Sequence, residues 1–266
     1  MKHIKTSFAA ILLLLLLSAC GNSSVEKVIV AGSTSVQPYA EVLTEEFSIL
    51  VPDSEVDVQG GGSSAGISAA EDNTADIGMS SRGLKDSEMD LWHIEIAKDG
   101  LVMIVNPANS VSDLTLEQIR GIYTKSIGNW SELGGTDAKI HVIAREEGSG
   151  TRDAFESLIM GGEWVTPKAI IQNSNGAVKQ IVSSDPNAIG FISLGLADSD
   201  VKVLNLDGVT PSGENVKNGL YSLYRPFLFV SSRPPEGAVK RFIDFTCSAE
   251  GQKLLADEGL IPMEGN

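Results

Sequence analysis

Val28-Ile29-Val30-Ala31-Gly32-Ser33-Thr34-Ser35-Val36-Gln37-Pro38-Tyr39 is the stretch on which the reading of this chain turns. From Val25 to Ala31 an apolar, largely β-branched run predicts a strand. The run stops at glycine and hydroxylic residues. Val36, Tyr39, Leu43, Phe47 and Leu50 then recur at helical spacing, with Pro38 in the first turn. A strand that passes through Gly-Ser-Thr-Ser straight into a helix gathers unpaired N–H groups, a positive dipole end and hydroxyl donors at one point, which suits an anion.

The pattern returns twice. Glu55 to Gln59 alternates as a strand, followed by Gly60-Gly61-Gly62-Ser63-Ser64 and a helix of small residues through Ala70. Lys139 to Ala144 is another strand, running into Arg145-Glu146-Glu147-Gly148-Ser149-Gly150-Thr151 and a helix with Phe155, Leu158 and Ile159 on one side. One such junction is equally an ordinary Ser/Thr-capped helix. Three together, one of them carrying Arg145 ahead of Ser149, point to an oxyanion bound by an arginine fork and the Gly148–Thr151 amides. The bland alternative for Arg145 is a surface salt bridge with Glu146 or Glu147.

Elsewhere strands and helices also alternate, which predicts an α/β fold. Asp76 to Ser80 reads as a short strand ending at Ser81-Arg82, with a helix through Leu91 and Trp92 after it. Leu101 to Val105 is a strand halted by Asn106-Pro107. Thr115 and Gln118 form a capping box for a helix to Tyr123. Ile189–Leu194 and Val201–Leu206 supply strands, Tyr224–Val230 a long apolar one, and helices over about Glu236–Phe245 and Ala249–Glu258 close the chain. A unit left near Val105 and re-entered near Tyr224 implies two lobes, 25–105 plus 222–266 and 106–221, joined by two crossing strands with the ligand between them.

The N-terminus sets the compartment. Lys2 and Lys5 precede an apolar run from Phe8 to Leu17 that is too short to span a bilayer and reads as an export signal over residues 1–19. Leu17-Ser18-Ala19-Cys20 resembles a bacterial lipobox, so cleavage before Cys20 and its acylation would leave a lipid-anchored extracytoplasmic protein on a tether at 20–24. An ordinary cleavage site that happens to contain a cysteine is the alternative. Cys247 is then the one remaining thiol, so no intramolecular disulfide forms. Loss of Lys2 and Lys5 turns 20 basic and 35 acidic residues into 18 against 35, a formal charge of −17 that argues against nucleic acid. His93 and His141 stand in no cluster with metal-ligand spacing, so neither metal nor other cofactor is expected.

Enzyme motifs fail at the same loops. Gly61 to Gly66 has P-loop glycine spacing, but Ile67 occupies the lysine position. The Gly60-x-Gly62-x-x-Ala65 match to a dinucleotide fingerprint follows the second strand rather than the first. Ser149 lacks the glycine two positions before it that a nucleophile elbow requires, since Glu147 stands there.

Taken together, Gly32–Pro38, Gln59–Gly66, Asp76–Arg82 and Arg145–Thr151 resemble the PstS-type phosphate-binding proteins of bacterial ABC importers, over almost all of the mature chain. The resemblance implies a two-lobed, type II periplasmic-binding fold, each lobe a mixed sheet flanked by helices, with the crossing strands as hinge. It implies a monomer that binds inorganic phosphate between the lobes and passes it to membrane permease subunits. It also implies ligand roles for Thr34, Ser35, Ser63, Ser81, Arg82, Arg145, Ser149, Gly150 and Thr151, supported by Ser33, Gly62 and Glu147. Glu147 would hold Arg145 in place, and Arg82 would be either a second cationic ligand or a brace of the cleft. Some members carry aspartate at the Ser81 position to accept the proton of hydrogen phosphate, which serine cannot do as an ionised group. Rival readings are a protein that binds or senses another oxyanion and, further off, an enzyme acting on a phosphorylated metabolite.

Overall fold

β1 (Glu26–Gly32) lies between β2 (Ser54–Gly60) and β3 (Ile77–Ser80), parallel to both, with Val30 opposite Val58 on one side and Ile77 on the other. The crossovers are α1 (Gln37–Leu50) and α2 (Ser63–Glu71). These elements belong to a computed structural model that describes residues 25–263; the export signal, Cys20 and the rest of the tether lie outside the described residues. α1 buries Tyr39, Ala40, Leu43 and Phe47, the stripe its periodicity predicts, although Leu50 at its end is exposed.

The centre of the molecule is β4 (Trp92–Val105), a strand of 14 residues. After it come β5 (Asp113–Leu114), α3 (Leu116–Thr124), β6 (His141–Arg145) and α4 (Gly150–Phe155), which continues as a π-helical turn over Glu156–Met160. Next are β7 (Ile170–Gln172), α5 (Asn175–Ser184), β8 (Ala188–Ser193), β9 (Lys202–Val203), β10 (Asn205–Leu206) and α6 (Gly213–Lys217). β11 (Tyr224–Ser231) leads to α7 (Gly237–Cys247), α8 (Ala249–Asp257) and β12 (Ile261–Pro262). The principal sheet runs β2-β1-β3-β11-β4-β8-β6-β7.

β4 changes partner along its length. Its first part, to Gly100, pairs antiparallel with β11, and Leu101–Val105 pairs with β8. The cores divide at the same place. One gathers Val30, Tyr39, Leu43, Phe47, Met79, Phe229 and Phe242; the other gathers Leu101, Met103, Val105, Tyr123, Phe155 and Phe191. The chain therefore enters the second core at Leu101, ahead of the expected exit near Val105, and the Leu101 N–H donates to the Leu223 carbonyl at 2.9 Å.

Three local expectations are corrected. The helix through Leu91 and Trp92 does not form: only a 3₁₀ turn over Asp86–Glu88 appears, because residues from Trp92 onward pair with β11 and that ladder outweighs a sparse helical pattern. Val201–Leu206 is not one strand, since β9 pairs with β4 and β10 with β5, changing partner at buried Leu204. The helix after Arg145 is α only to Phe155. Among the described residues, no helix is long and apolar enough to cross a membrane.

Candidate functional site

The first two glycine-rich loops are stitched together by backbone. Gly61 and Gly62 donate to the Gly32 carbonyl at 2.7 and 2.9 Å, and Ser33 donates to the Met79 carbonyl at 3.0 Å. Gly32 has φ 136°, and a Cβ there would lie 2.5 Å from the Met79 oxygen and 2.8 Å from the Gly66 Cα, so only glycine lets α2 press this closely on β1. The third loop approaches from the other core: the Ser64 N–H donates to the Gly148 carbonyl at 3.1 Å. Ser149 caps α4, its hydroxyl accepting from the Arg152 N–H at 3.3 Å.

Side chains from all sides meet at Ser35. Its Oγ lies 2.8 Å from Thr151 Oγ1, 2.8 Å from Asn175 Nδ2 and 3.2 Å from Arg225 Nη2. The amide and the guanidinium only donate here, so they fill the two acceptor positions of the Ser35 hydroxyl, whose proton goes to Thr151. Thr151 also accepts from Arg145 Nη1 at 3.4 Å, which leaves its own O–H free to donate.

Arg145 ends β6 and is 1% exposed. Glu146 grips it bidentately, Nε and Nη2 each at 2.9 Å from a carboxylate oxygen. The guanidinium further donates to the Gln172 carbonyl at 3.2 Å, the Asn173 carbonyl at 3.4 Å and Thr34 Oγ1 at 3.2 Å. Ser63 accepts from the Ser81 N–H at 3.0 Å and shares a hydroxyl contact with Ser81 Oγ at 3.3 Å. Gly150 faces this pair so closely that a Cβ would lie 2.3 Å from Ser63 Oγ and 2.6 Å from Ser81 Oγ.

Thr34, Ser35, Ser63, Ser81, Arg145, Gly150 and Thr151 are thus brought together, with Ser33 and Gly62 shaping the loops behind them. Ser149 is buried alongside as a cap. Two expected residues stand elsewhere. Glu147 is exposed, and the carboxylate on Arg145 is Glu146, because β6 ends at Arg145 and the next residue folds back over the guanidinium. Arg82, expected as either a ligand or a brace, is buried but engaged by Glu88 at 2.7 and 2.8 Å and by Asp153 at 2.9 Å, so it braces the loop after β3 against α4 rather than offering a free fork. Hydrogen bonding to Arg82 lowers the Glu88 carboxyl below its ordinary range.

Sequence reasoning missed a third buried cation, after Arg82 and Arg145. Arg225 of β11 donates through Nε and Nη2 to Asp99 Oδ2 at 3.0 and 2.9 Å, and Ser193 donates to Asp99 Oδ1 at 2.6 Å. Burial pushes the Asp99 carboxyl up and the Arg225 guanidinium down, each opposed by the other's charge. Arg225 Nη1 has no partner among the described residues. A charged residue inside the apolar Tyr224–Val230 run was the available signal. Asn175 was missed too, because Asn173-Ser174-Asn175-Gly176 reads as loop although it opens α5. A cavity of about 510 Å³ lined by Arg82, Asp153, Glu156, Tyr224 and Arg225 opens beside the site.

Two arginines, five hydroxyls and the first N–H groups of α2 and α4 form a donor-rich cradle whose fixed charges are each matched by a carboxylate. It suits a small tetrahedral oxyanion. Among the described residues no group of His, Cys, Asp and Glu is arranged to hold a metal.

The PBP superfamily domain profile matches residues 18–250. The phosphate-binding protein PstS of Bacillus subtilis (strain 168) is 30% identical over 272 residues, covering 94% of this chain and 90% of its own. A solved structure from Clostridium perfringens, described as a phosphate ABC transporter substrate-binding protein with bound phosphate, is 43% identical with a TM-score of 0.87, covering 90% of this chain and 100% of that one. An ABC-type phosphate transport receptor from Vibrio cholerae is 40% identical with a TM-score of 0.75 over the same shares.

Proposed function

Because the chain belongs to the PstS-type phosphate-binding proteins of the PBP superfamily, we propose that it captures inorganic phosphate between its two cores and delivers it to an ABC importer. The observation that carries this reading is the meeting of Thr34, Ser35, Arg145, Thr151 and Arg225 within hydrogen-bond distance of one another.

In the bound state Arg145 and the unused Arg225 Nη1 supply charge-assisted bonds. The Thr151, Ser63 and Ser81 hydroxyls and the Gly150 and Thr151 amides supply neutral ones. Micromolar capture requires about 8 kcal/mol, which a handful of such bonds at roughly 1.5 to 3 kcal/mol each can supply on a preorganised cradle. The family is one of transporter substrate-binding proteins, and we assign the chain no catalysis.

The finer parts of the reading are that the lobes hinge where β4 and β11 cross, at Gly100–Leu101 and Leu223–Tyr224, and that Ser149 acts through its backbone. The protein is a monomer that docks on permease subunits from outside the membrane, anchored by lipid on Cys20. Titration calorimetry with phosphate and then sulfate tests the central reading. Saturable heat with phosphate at micromolar concentration is expected, and no heat with phosphate overturns it. Mass spectrometry of the membrane-extracted protein tests the anchor by the acyl mass on Cys20.

A further inference from the structure

A second gathering of positive charge stands apart from the cradle. Lys125, Lys139 and Lys168 converge with His141 and Ile170 on a cavity of about 280 Å³ at the start of β6. β6 ends at Arg145, so at about 3.3 Å per residue the pocket and the cradle lie roughly 13 Å apart, at opposite ends of one strand. Lys125 is half-buried at the floor of the pocket, and Lys139 and Lys168 are exposed at its rim.

The chain is acidic overall, yet none of the residues lining this cavity is acidic. The lysine ion pairs among the described residues are those of Lys27, Lys179, Lys240 and Lys253. Lys125 is held in the pocket at a conformational cost. It caps α3 with φ 69°, in the left-handed region that glycine usually takes at a helix C-terminus. Its Nζ donates to the Ile140 carbonyl at 2.7 Å, which engages one of its three N–H groups. Burial, and then the charges of Lys139 and Lys168, lower its ammonium below the ordinary lysine range.

Like charges gathered without a counter-charge repel, and an anion seated among them relieves that repulsion. A singly charged ion offsets one of three ammoniums, whereas a compact polyanion offsets them together. Ammonium groups act as point charges that respond to charge density rather than to planar geometry. The volume lies near the small end of ligand cavities, roughly 300 to 1,000 Å³, which suits a diphosphate and is small for a nucleotide. We propose that this pocket is a second anion site, separate from the cradle, for a compact oxyanion of higher charge than hydrogen phosphate, of the condensed-phosphate class.

Calorimetry of the protein carrying one equivalent of phosphate, titrated with pyrophosphate and separately with sulfate, tests this. A further saturable event with pyrophosphate is expected below millimolar concentration, weakening as salt rises from about 50 to about 300 mM, with sulfate at least tenfold weaker. Lys139→Gln combined with Lys168→Gln, at exposed positions, should weaken pyrophosphate at least tenfold and leave phosphate affinity unchanged. Lys125→Gly fits the left-handed backbone and so keeps the fold. It should weaken pyrophosphate at least fivefold.

No event beyond phosphate, sulfate as tight as pyrophosphate, or variants that bind pyrophosphate like wild type would each overturn the proposal. Pyrophosphate that displaces phosphate one for one, or whose binding is lost in Arg145→Ala, belongs to the cradle and overturns it as well. A protein that binds no phosphate sinks the reading of the cradle alone, because pyrophosphate binding lost with Lys139 and Lys168 still upholds the second site.

Discussion

Arg145 shows how one residue's role can be legible while its setting is not. Strand, arginine and glycine turn stand next to each other in sequence, so the pairing of Arg145 with the Ser149–Thr151 turn follows from spacing. Its partners Thr34 and Asn173 come from elsewhere in the chain, and the choice of Glu146 over Glu147 depends on how the backbone turns after β6. Arg145→Ala is expected to weaken phosphate binding at least tenfold, about 1.4 kcal/mol, by calorimetry. Arg145→Lys should recover only part of this, because an ammonium lacks the planar fork. Gly150→Ala should abolish binding with little change in melting temperature, since the new methyl would meet Ser63 and Ser81 across the interface between cores; unaltered affinity would refute the tight approach. For Glu88, lowered by Arg82, the stabilisation is present above the ordinary glutamate value of 4.5 and is lost as pH falls through the depressed folded value. Glu88→Gln should therefore be less stable than wild type at pH 7 and converge with it under acid, as measured by urea unfolding.

At the scale of elements, what could be read was whatever repeats locally. The three strand–loop–helix junctions, the capping box and the two closing helices follow from periodicity and punctuation, and Thr115 and Gln118 do satisfy each other at 3.1 and 2.9 Å. Thr115→Ala should cost about 1 kcal/mol of stability in denaturant unfolding while leaving phosphate affinity unchanged, because α3 lies away from the cradle. What could not be read was decided by partners remote in sequence. Residues from Trp92 extend as strand because β11 is there to pair with them, and α5 hides behind a polar segment whose Val178 and Val182 find a core only in three dimensions. The Asp99–Arg225 pair is a further case, joining positions 126 apart; neither carries any sign of the other.

Across the whole molecule, a formal charge of −15 coexists with anion binding because surface charges are screened beyond about 8 Å at physiological salt, whereas the cradle acts at contact. Phosphate at a hundred times its dissociation constant should stabilise the folded protein by about 2.7 kcal/mol. For a chain of this size that is a rise of about 5–10 °C in melting temperature; sulfate at equal ionic strength should give far less. Both cores must be intact for this, since each supplies only part of the donor set. That division gives the unbroken run of β4 a further meaning. Because one covalent strand threads both cores, the two half-cradles can never dilute away from each other. An anion caught by the Ser63 face meets the Arg145 face as an intramolecular partner at a high effective concentration, so the second set of bonds forms without the translational cost of a separate encounter.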